Sequence, residues 1–288
     1  MNLLPLTPDG QTPVRVLTIA GTDSGGSAGV QADSRTMALL GVHACVAVTA
    51  VTVQNSLRVS DFHEIPAQTV ADQVRVVVSD IGVGAAKTGM LASQAIIDAV
   101  AQVCAEHGIG QNGSVPLVVD PVAASIHGDP LLHESALDAL RHNLIPMATV
   151  VTPNLDEVRL LTGIDVVDDG SARRAAETLH KFGQRWTIVK GGHLRSSAFS
   201  TDLLYDGDTF HELSASRITT VHDHGAGDTL ATATACALAH GYDVPSAVAF
   251  AKEWTTRSLR ASYPLGAGRG PVSALWRLRE AGADHGPS

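Results

Sequence analysis

Residues 14–29 read V-R-V-L-T-I-A-G-T-D-S-G-G-S-A-G. The first eight form a short apolar run of strand length, the pattern of a strand buried on both faces. Four glycines within residues 21–29 then let the backbone turn and approach a ligand closely. Residues 28–40 follow in a helical pattern, and the start of such a helix favours electron-rich groups. No G-x-G-x-x-G can be laid over the turn, so it is not the dinucleotide fingerprint. Asp33 stands inside the helix, an acid that a plain turn does not explain.

The same alternation recurs along the chain. Strands are predicted over 42–51, 83–87, 115–120, 149–152 and 187–190. Helices are predicted over 66–80, 93–107, 131–143, 155–162 and 171–182. An alternating segment covers 58–65, and 198–205 pairs with 209–213 in a hairpin across Asp206-Gly207-Asp208. Two helices, 225–240 and 244–260, finish the fold. This spacing predicts βαβ units, a mostly parallel sheet covered on both faces, and ligands beyond the carboxyl ends of the strands. Residues 1–13 read as a flexible arm, 14–281 as a single domain and 282–288 as a frayed tail.

Composition narrows the function. Of 288 residues, 44% are hydrophobic and 17% charged, which excludes a disordered chain. Twenty basic residues against 29 acidic ones give −9, which excludes a basic nucleic-acid footprint and a polybasic membrane grip. An anionic ligand must then be held by backbone donors and a few placed cations. Cys45, Cys104 and Cys236 are scattered and lack metal spacing, as expected of reduced thiols in a cytoplasmic protein. No signal-peptide pattern and no run of roughly 18 apolar residues is present.

Chemistry collects where the predicted strands end. Lys87-Thr88-Gly89-Met90 lacks the preceding glycine of a phosphate-binding P-loop, and no Ser-x-x-Lys accompanies it. What remains is a strand end presenting Gly89 and Met90, and Met90 also reads as core. Asp120-Pro121 and the acids of Asn154-Leu155-Asp156-Glu157 end neighbouring strands; they suit a magnesium shell, or a turn and a helix cap. Lys190-Gly191-Gly192 sets a cation beside glycines. In His222-Asp223-His224-Gly225-Ala226-Gly227-Asp228-Thr229, the N–H groups of residues 225–227 at a helix start form an anion cradle. Asp228 on the same turn can take a proton from an attacking hydroxyl, or serve as a first-turn acid. Two histidines without a third ligand are a weak zinc signal.

Taken in order, I-A-G-T-D-S-G-G-S-A-G-V-Q-A-D, T-A-V-T-V-Q-N, K-T-G-M-L, V-V-D-P-V, V-V-T-P-N-L-D-E, V-K-G-G-H, H-G-A-G-D-T and P-L-G-A-G-R-G-P-V resemble the hydroxymethylpyrimidine/phosphomethylpyrimidine kinases of thiamine biosynthesis, within the ribokinase-like superfamily. The similarity runs over residues 14–272. It implies a three-layer α/β/α sandwich with a mostly parallel central sheet, ATP and Mg2+ as cofactors, a small pyrimidine substrate and a homodimer. By the same resemblance Gly21, Asp33, Gln54, Met90 and Val122 contact the pyrimidine. Asp120 and Glu157 match the metal and phosphate region, and Lys190, Asn154 and Glu157 the nucleotide side. Gly225, Ala226 and Gly227 form the anion hole, with Asp228 as base.

The sequence departs from the family pattern at three places. Asp228 stands where the family commonly has Cys, Ala123 and Ile126 stand where Met and Lys are common, and Ser24 replaces a common Pro. Aspartate at the catalytic position is the choice of sugar and pyridoxal kinases, so a pyridoxal or pyridoxine kinase is the alternative reading. A non-catalytic pyrimidine-sensing module is a third, against which the chain keeps both the base and the anion hole.

Overall fold

The computed structural model describes residues 2–123, 134–193 and 198–283. The chain runs β1 (Arg15–Ala20), α1 (Gly29–Leu39), β2 (His43–Val48), β3 (Ala50–Gln54), β4 (Val59–Glu64), α2 (Ala67–Val76), β5 (Ala85–Thr88) and α3 (Gln94–Glu106). It continues through β6 (Leu117–Val119), α4 (Glu134–Ala139), β7 (Val150–Val151), α5 (Leu155–Thr162), α6 (Asp169–His180) and β8 (Trp186–Val189). A hairpin of β9 (Phe199–Tyr205) and β10 (Phe210–Ser216) precedes α7 (Ala226–Ala239), α8 (Val244–Arg260) and α9 (Trp276–Ala283).

Eight strands form one sheet in the order β10-β9-β8-β7-β6-β5-β1-β2. From β8 to β2 all neighbours are parallel, and the β9–β10 hairpin closes the edge antiparallel. Alternate residues of the strands feed opposite faces, as the period of two requires. Leu17, Ile19, Ala86, Leu117 and Val119 enter the core shared with α2, α3, α5 and α6, while Val16, Ala85 and Val118 enter the core under α1, α7 and α8. Helix α7 is built from Ala, Thr and Leu and is buried along most of its length, so it can lie flat against the sheet. The three-layer architecture is therefore the one implied by the resemblance. β1 is the switch point: the chain leaves it for β2 on one side and later returns to β5 on the other, where ligands of such sheets bind.

Four expectations are corrected. The strand predicted over 42–51 breaks at Thr49. There Thr49 Oγ1 donates to the Met90 carbonyl (2.6 Å) and Thr22 N–H to the Ala50 carbonyl (2.9 Å). The chain thus leaves the sheet, and β3 pairs with β4 in a separate antiparallel ribbon. The supposedly loose arm sets Leu4, 3% exposed, into the core under α1 and α7. A third terminal helix, α9, follows the two expected ones; Trp276 packs on Trp254 at 4.7 Å and donates its Nε1–H to Ser258 Oγ (3.2 Å). The helix expected over 66–80 passes into a π-helical turn at Val77–Ile81. The beginning of the helix expected over 131–143, Ile126, and the tail beyond residue 283 lie outside the described residues.

Candidate active site

A cleft of about 790 Å3 opens beyond the carboxyl ends of β1, β5, β6, β7 and β8, within the range of small-molecule sites. Gly21, Gln54, Met90, Val122, Asp120, Asn154, Glu157, Lys190, Gly225, Ala226, Gly227 and Asp228 all line it. Asp33 does not.

The start of α7 forms one wall. Gly225 caps the helix at φ +78°, and a Cβ there would lie 2.1 Å from the Ser27 carbonyl oxygen, so only glycine fits. This left-handed residue lets the chain enter α7 hard against the glycine-rich loop. Asp23 fixes that loop: its carboxylate accepts the N–H groups of Gly25, Ser27 and Ala28 at 2.8–2.9 Å. Gly227 faces the other way. A Cβ on it would sit 3.4 Å from Lys190 Nζ and 3.5 Å from Asp120 Oδ2, so the helix start overhangs that pair.

Beneath Asp228 lies a buried ionic cluster that the sequence reading missed. Lys87, fully buried at the end of β5, donates to Asp33 Oδ2 (2.9 Å) and to Asp228 Oδ1 (3.0 Å). Burial opposes its charge, but Asp33 and Asp228 outweigh burial and hold its pKa above the ordinary lysine value. Asp33 also accepts Thr18 Oγ1–H (2.5 Å) and Thr232 Oγ1–H (2.6 Å). Burial pushes the Asp33 carboxyl upward and Lys87 opposes it. The expectation that Asp33 touches the pyrimidine is therefore corrected: its carboxylate is fully buried and turned to three internal donors. The available signal was a lysine at the end of a buried strand, since such an ammonium requires a carboxylate partner.

A second cluster lies at the ends of β6 and β8 and the start of α5. Asp120 Oδ1 accepts from Thr152 Oγ1 (3.0 Å) and Lys190 Nζ (3.0 Å). Glu157 and Asn154 form a capping box at α5: Asn154 Oδ1 accepts Glu157 N–H (2.9 Å), and Glu157 Oε2 accepts Asn154 N–H (2.8 Å). Burial raises the Glu157 carboxyl to about 8, against the opposing pull of Lys190 and with a further push from Asp120. On Lys190 burial works against the charge, but Asp120 and Glu157 prevail and raise its pKa. Among the described residues, no group of three or more His, Cys, Asp or Glu side chains comes together to hold a metal. Asp120 and Glu157 nonetheless fit a magnesium ion. They are hard oxygen donors, and Mg2+ is commonly held by one or two carboxylates together with substrate phosphates.

The opposite wall is set by the ribbon. Ser24 Oγ donates to the Thr52 carbonyl (2.5 Å) and accepts the Gln54 N–H (3.2 Å), tying the glycine-rich loop to β3 beside Gln54. The serine that replaces a common proline thus has a structural partner on each side. Gln54 Nε2 lies 3.4 Å from His224 Nε2, and His222 Nδ1 accepts the Gly270 N–H (3.1 Å). Gly21 lets Met90 close in, since a Cβ would lie 3.1 Å from its sulfur. Cys45, Cys104 and Cys236 are buried; burial pushes the Cys104 thiol to about 12 and also raises the other two. Among the described residues no helix is long and apolar enough to cross a membrane.

Comparison with known proteins fits this geometry. A family model described as phosphomethylpyrimidine kinase matches residues 23–273. A hydroxymethylpyrimidine/phosphomethylpyrimidine kinase of Mycobacterium tuberculosis is 64% identical over 278 residues, spanning 96% of this chain and 100% of that one. Among solved structures, an ADP complex of Bacillus subtilis pyridoxal kinase superposes with TM-score 0.84 at 34% identity, over 93% of this chain and 100% of that one. A phosphomethylpyrimidine kinase from Clostridium difficile gives TM-score 0.74 at 32% identity, over 85% of this chain and 99% of that one. With the match spanning the glycine-rich loop, both lysine-bearing strand ends and the start of α7, the chain belongs to the phosphomethylpyrimidine kinase family.

Proposed function

We propose that the chain transfers the γ-phosphoryl group of ATP to the hydroxymethyl oxygen of 4-amino-5-hydroxymethyl-2-methylpyrimidine, and then to the resulting monophosphate, giving the pyrophosphate used in thiamine biosynthesis. The observation that carries this reading is the first turn of α7, where Asp228 shares one edge of the cleft with residues 225–227; of their N–H groups, that of Ala226 donates to the Asp223 carbonyl (3.1 Å) while no ligand is bound. Asp228 takes the hydroxyl proton as the new O–P bond forms and the bond to ADP breaks. The helix-start amides, with Lys190, stabilise charge on the phosphoryl oxygens in flight. Gln54 offers both a donor and an acceptor to the aminopyrimidine edge, and Met90 and Val122 supply apolar walls. Asp120 and Glu157 would hold Mg2+, which when bound neutralises charge on the phosphates.

The likeness to pyridoxal kinase, together with an aspartate at position 228, supports a second reading in which pyridoxal offers the hydroxymethyl group. A homodimer belongs to the same proposal, and exposed Val51 and Val53 on β3 provide an apolar face for it. Coupled ADP release measured with each alcohol separates the readings: the pyrimidine gives the larger kcat/KM. No turnover of it, or full turnover by Asp228→Ala, overturns the mechanism.

A further inference from the structure

Lys87 contacts no solvent, yet it joins two acids that do different things. Asp33 is fully buried, and Asp228 keeps 16% of its side chain exposed, toward the cleft. An ion pair taken out of water is weak evidence for stability, because well-packed apolar residues of similar volume commonly serve as well or better. The cluster therefore calls for another explanation, and its connectivity supplies one. Thr18 on β1, Lys87 on β5 and Thr232 on α7 all converge on the Asp33 carboxylate. Lys87 alone of these three donors continues to Asp228, at 3.0 Å from Oδ1. Among the described residues, Lys190 and Asp120, at the ends of β8 and β6, are further charged groups close enough to act on this cluster.

We propose that Lys87, anchored by Asp33, is the positioning residue for Asp228, holding one carboxylate oxygen so that the other is presented to the acceptor hydroxyl. Asp33 then serves the base at second hand and not the pyrimidine. This rests on the reading of Asp228 as base.

The two phosphorylations make the proposal testable. The first acceptor is an alcohol, which must lose a proton. The second is a phosphate monoester, whose oxygens are already ionised near pH 7 and require no base. A device that acts only through the base must therefore be selective for the first step.

The experiment measures kcat and KM of each step separately in the full chain for Asp228→Asn, Lys87→Met and Asp33→Asn, with folding checked by melting and by ADP binding. Asp228→Asn lowers kcat of the alcohol step about 100-fold or more and the phosphate step much less. Lys87→Met and Asp33→Asn lower kcat of the alcohol step by roughly 10- to 100-fold, the scale of a displaced catalytic group. Both leave KM for the pyrimidine within about twofold and largely spare the second step. Lys87→Met leaves two carboxylates facing each other. If it does not fold, Asp33→Asn, which keeps the size and Lys87, decides the outcome by the same readout.

Equal losses in both steps for these two variants, or a tenfold rise in KM for the pyrimidine in Asp33→Asn with kcat retained, overturn the proposal. If Asp228→Asn itself shows no preference for the first step, the base assignment fails and takes the positioning role with it. Selectivity in Asp228→Asn without selectivity in the other two removes the positioning role alone.

Discussion

Replacing Gly225 by alanine tests whether the start of α7 is held where it is by backbone contact. The added Cβ would lie 2.1 Å from the Ser27 carbonyl oxygen, where ordinary contact begins near 3.4 Å, so about 1.3 Å must open between loop and helix. Ser27 cannot retreat freely, because Asp23 holds its N–H and that of Ala28 at 2.8 and 2.9 Å. The helix start must move instead, and with it the anion-hole amides and Asp228. A displacement of about 1 Å in reacting groups costs roughly 100-fold in rate, and a left-handed alanine costs about 1–2 kcal/mol before any clash. Gly225→Ala is therefore expected to lose about 100-fold in kcat and to melt several degrees lower. Gly227→Ala is the internal control. Its backbone is helical, and its Cβ would meet Lys190 Nζ at 3.4 Å and Asp120 Oδ2 at 3.5 Å. Stability should hold or rise by about 0.5–1 kcal/mol, as for alanine over glycine in a helix, while the methyl group intrudes over the phosphate side and raises KM for ATP. Coupled ADP release and thermal melting read both variants. A Gly225→Ala enzyme with kcat within threefold of wild type, or equal stability losses in the two variants, would refute the reasoning.

Other outcomes follow from the same geometry. Gln54→Leu is expected to lower kcat/KM for the pyrimidine on the order of 100-fold, because the ring loses a partner for its polar edge in a closed site; unchanged steady-state kinetics would remove Gln54 from recognition. Glu157 is pushed by burial from 4.5 to about 8, so the folded protein binds more protons than the unfolded chain between those values. Stability of the metal-free protein is then fully present below about pH 4.5 and falls as pH rises toward 8, by at most about 5 kcal/mol, and Glu157→Gln, which keeps the cap, flattens the trend in melting scans. Binding of Mg2+ with a non-hydrolysable ATP analogue at pH 7 is expected to release up to about one proton from Glu157. Equal calorimetric heats in buffers of different ionisation enthalpy would contradict that.

The order of strands and helices was legible because buried parallel strands are continuous apolar runs and their helices are amphipathic. The break at Thr49 was not. Residues 42–51 are apolar apart from His43 and Thr49, and what divides them is the Thr49 hydroxyl bonding to the Met90 carbonyl, a contact across 41 positions. Trp276 likewise declares α9 only through Trp254 and Ser258, neither of them local. At the site, residues on glycine-rich turns were readable because such turns have few structural uses. Lys87 stayed hidden by the same logic: its motif fits neither a phosphate-binding P-loop nor a serine-enzyme Lys-Thr-Gly pair, and what it leaves is a strand end that draws attention to Gly89 and Met90. A buried lysine between two aspartates distant in sequence requires no motif at all.

The acidic charge of the chain takes a specific form here. Four carboxyl groups, Asp33, Asp120, Glu157 and Asp228, gather around two ammonium groups, Lys87 and Lys190. Fully ionised, that set carries two negative charges more than positive ones, and both lysines are already bonded to carboxylates. In the empty cleft both lysine charges are thus largely compensated, and Lys190 can serve the phosphoryl oxygens only together with other positive groups. The attraction must come from the helix-start amides and from a cation that arrives with the phosphates, and a divalent ion cancels an excess of two. The proton that burial keeps on Glu157 up to about pH 8 removes one negative charge while no cation is there. The negative charge of this protein is therefore no obstacle to phosphate chemistry. A nucleotide that brings its own divalent cation would be favoured over the bare one, and Asp228 stands beside Lys87, where an alcohol acceptor needs a base.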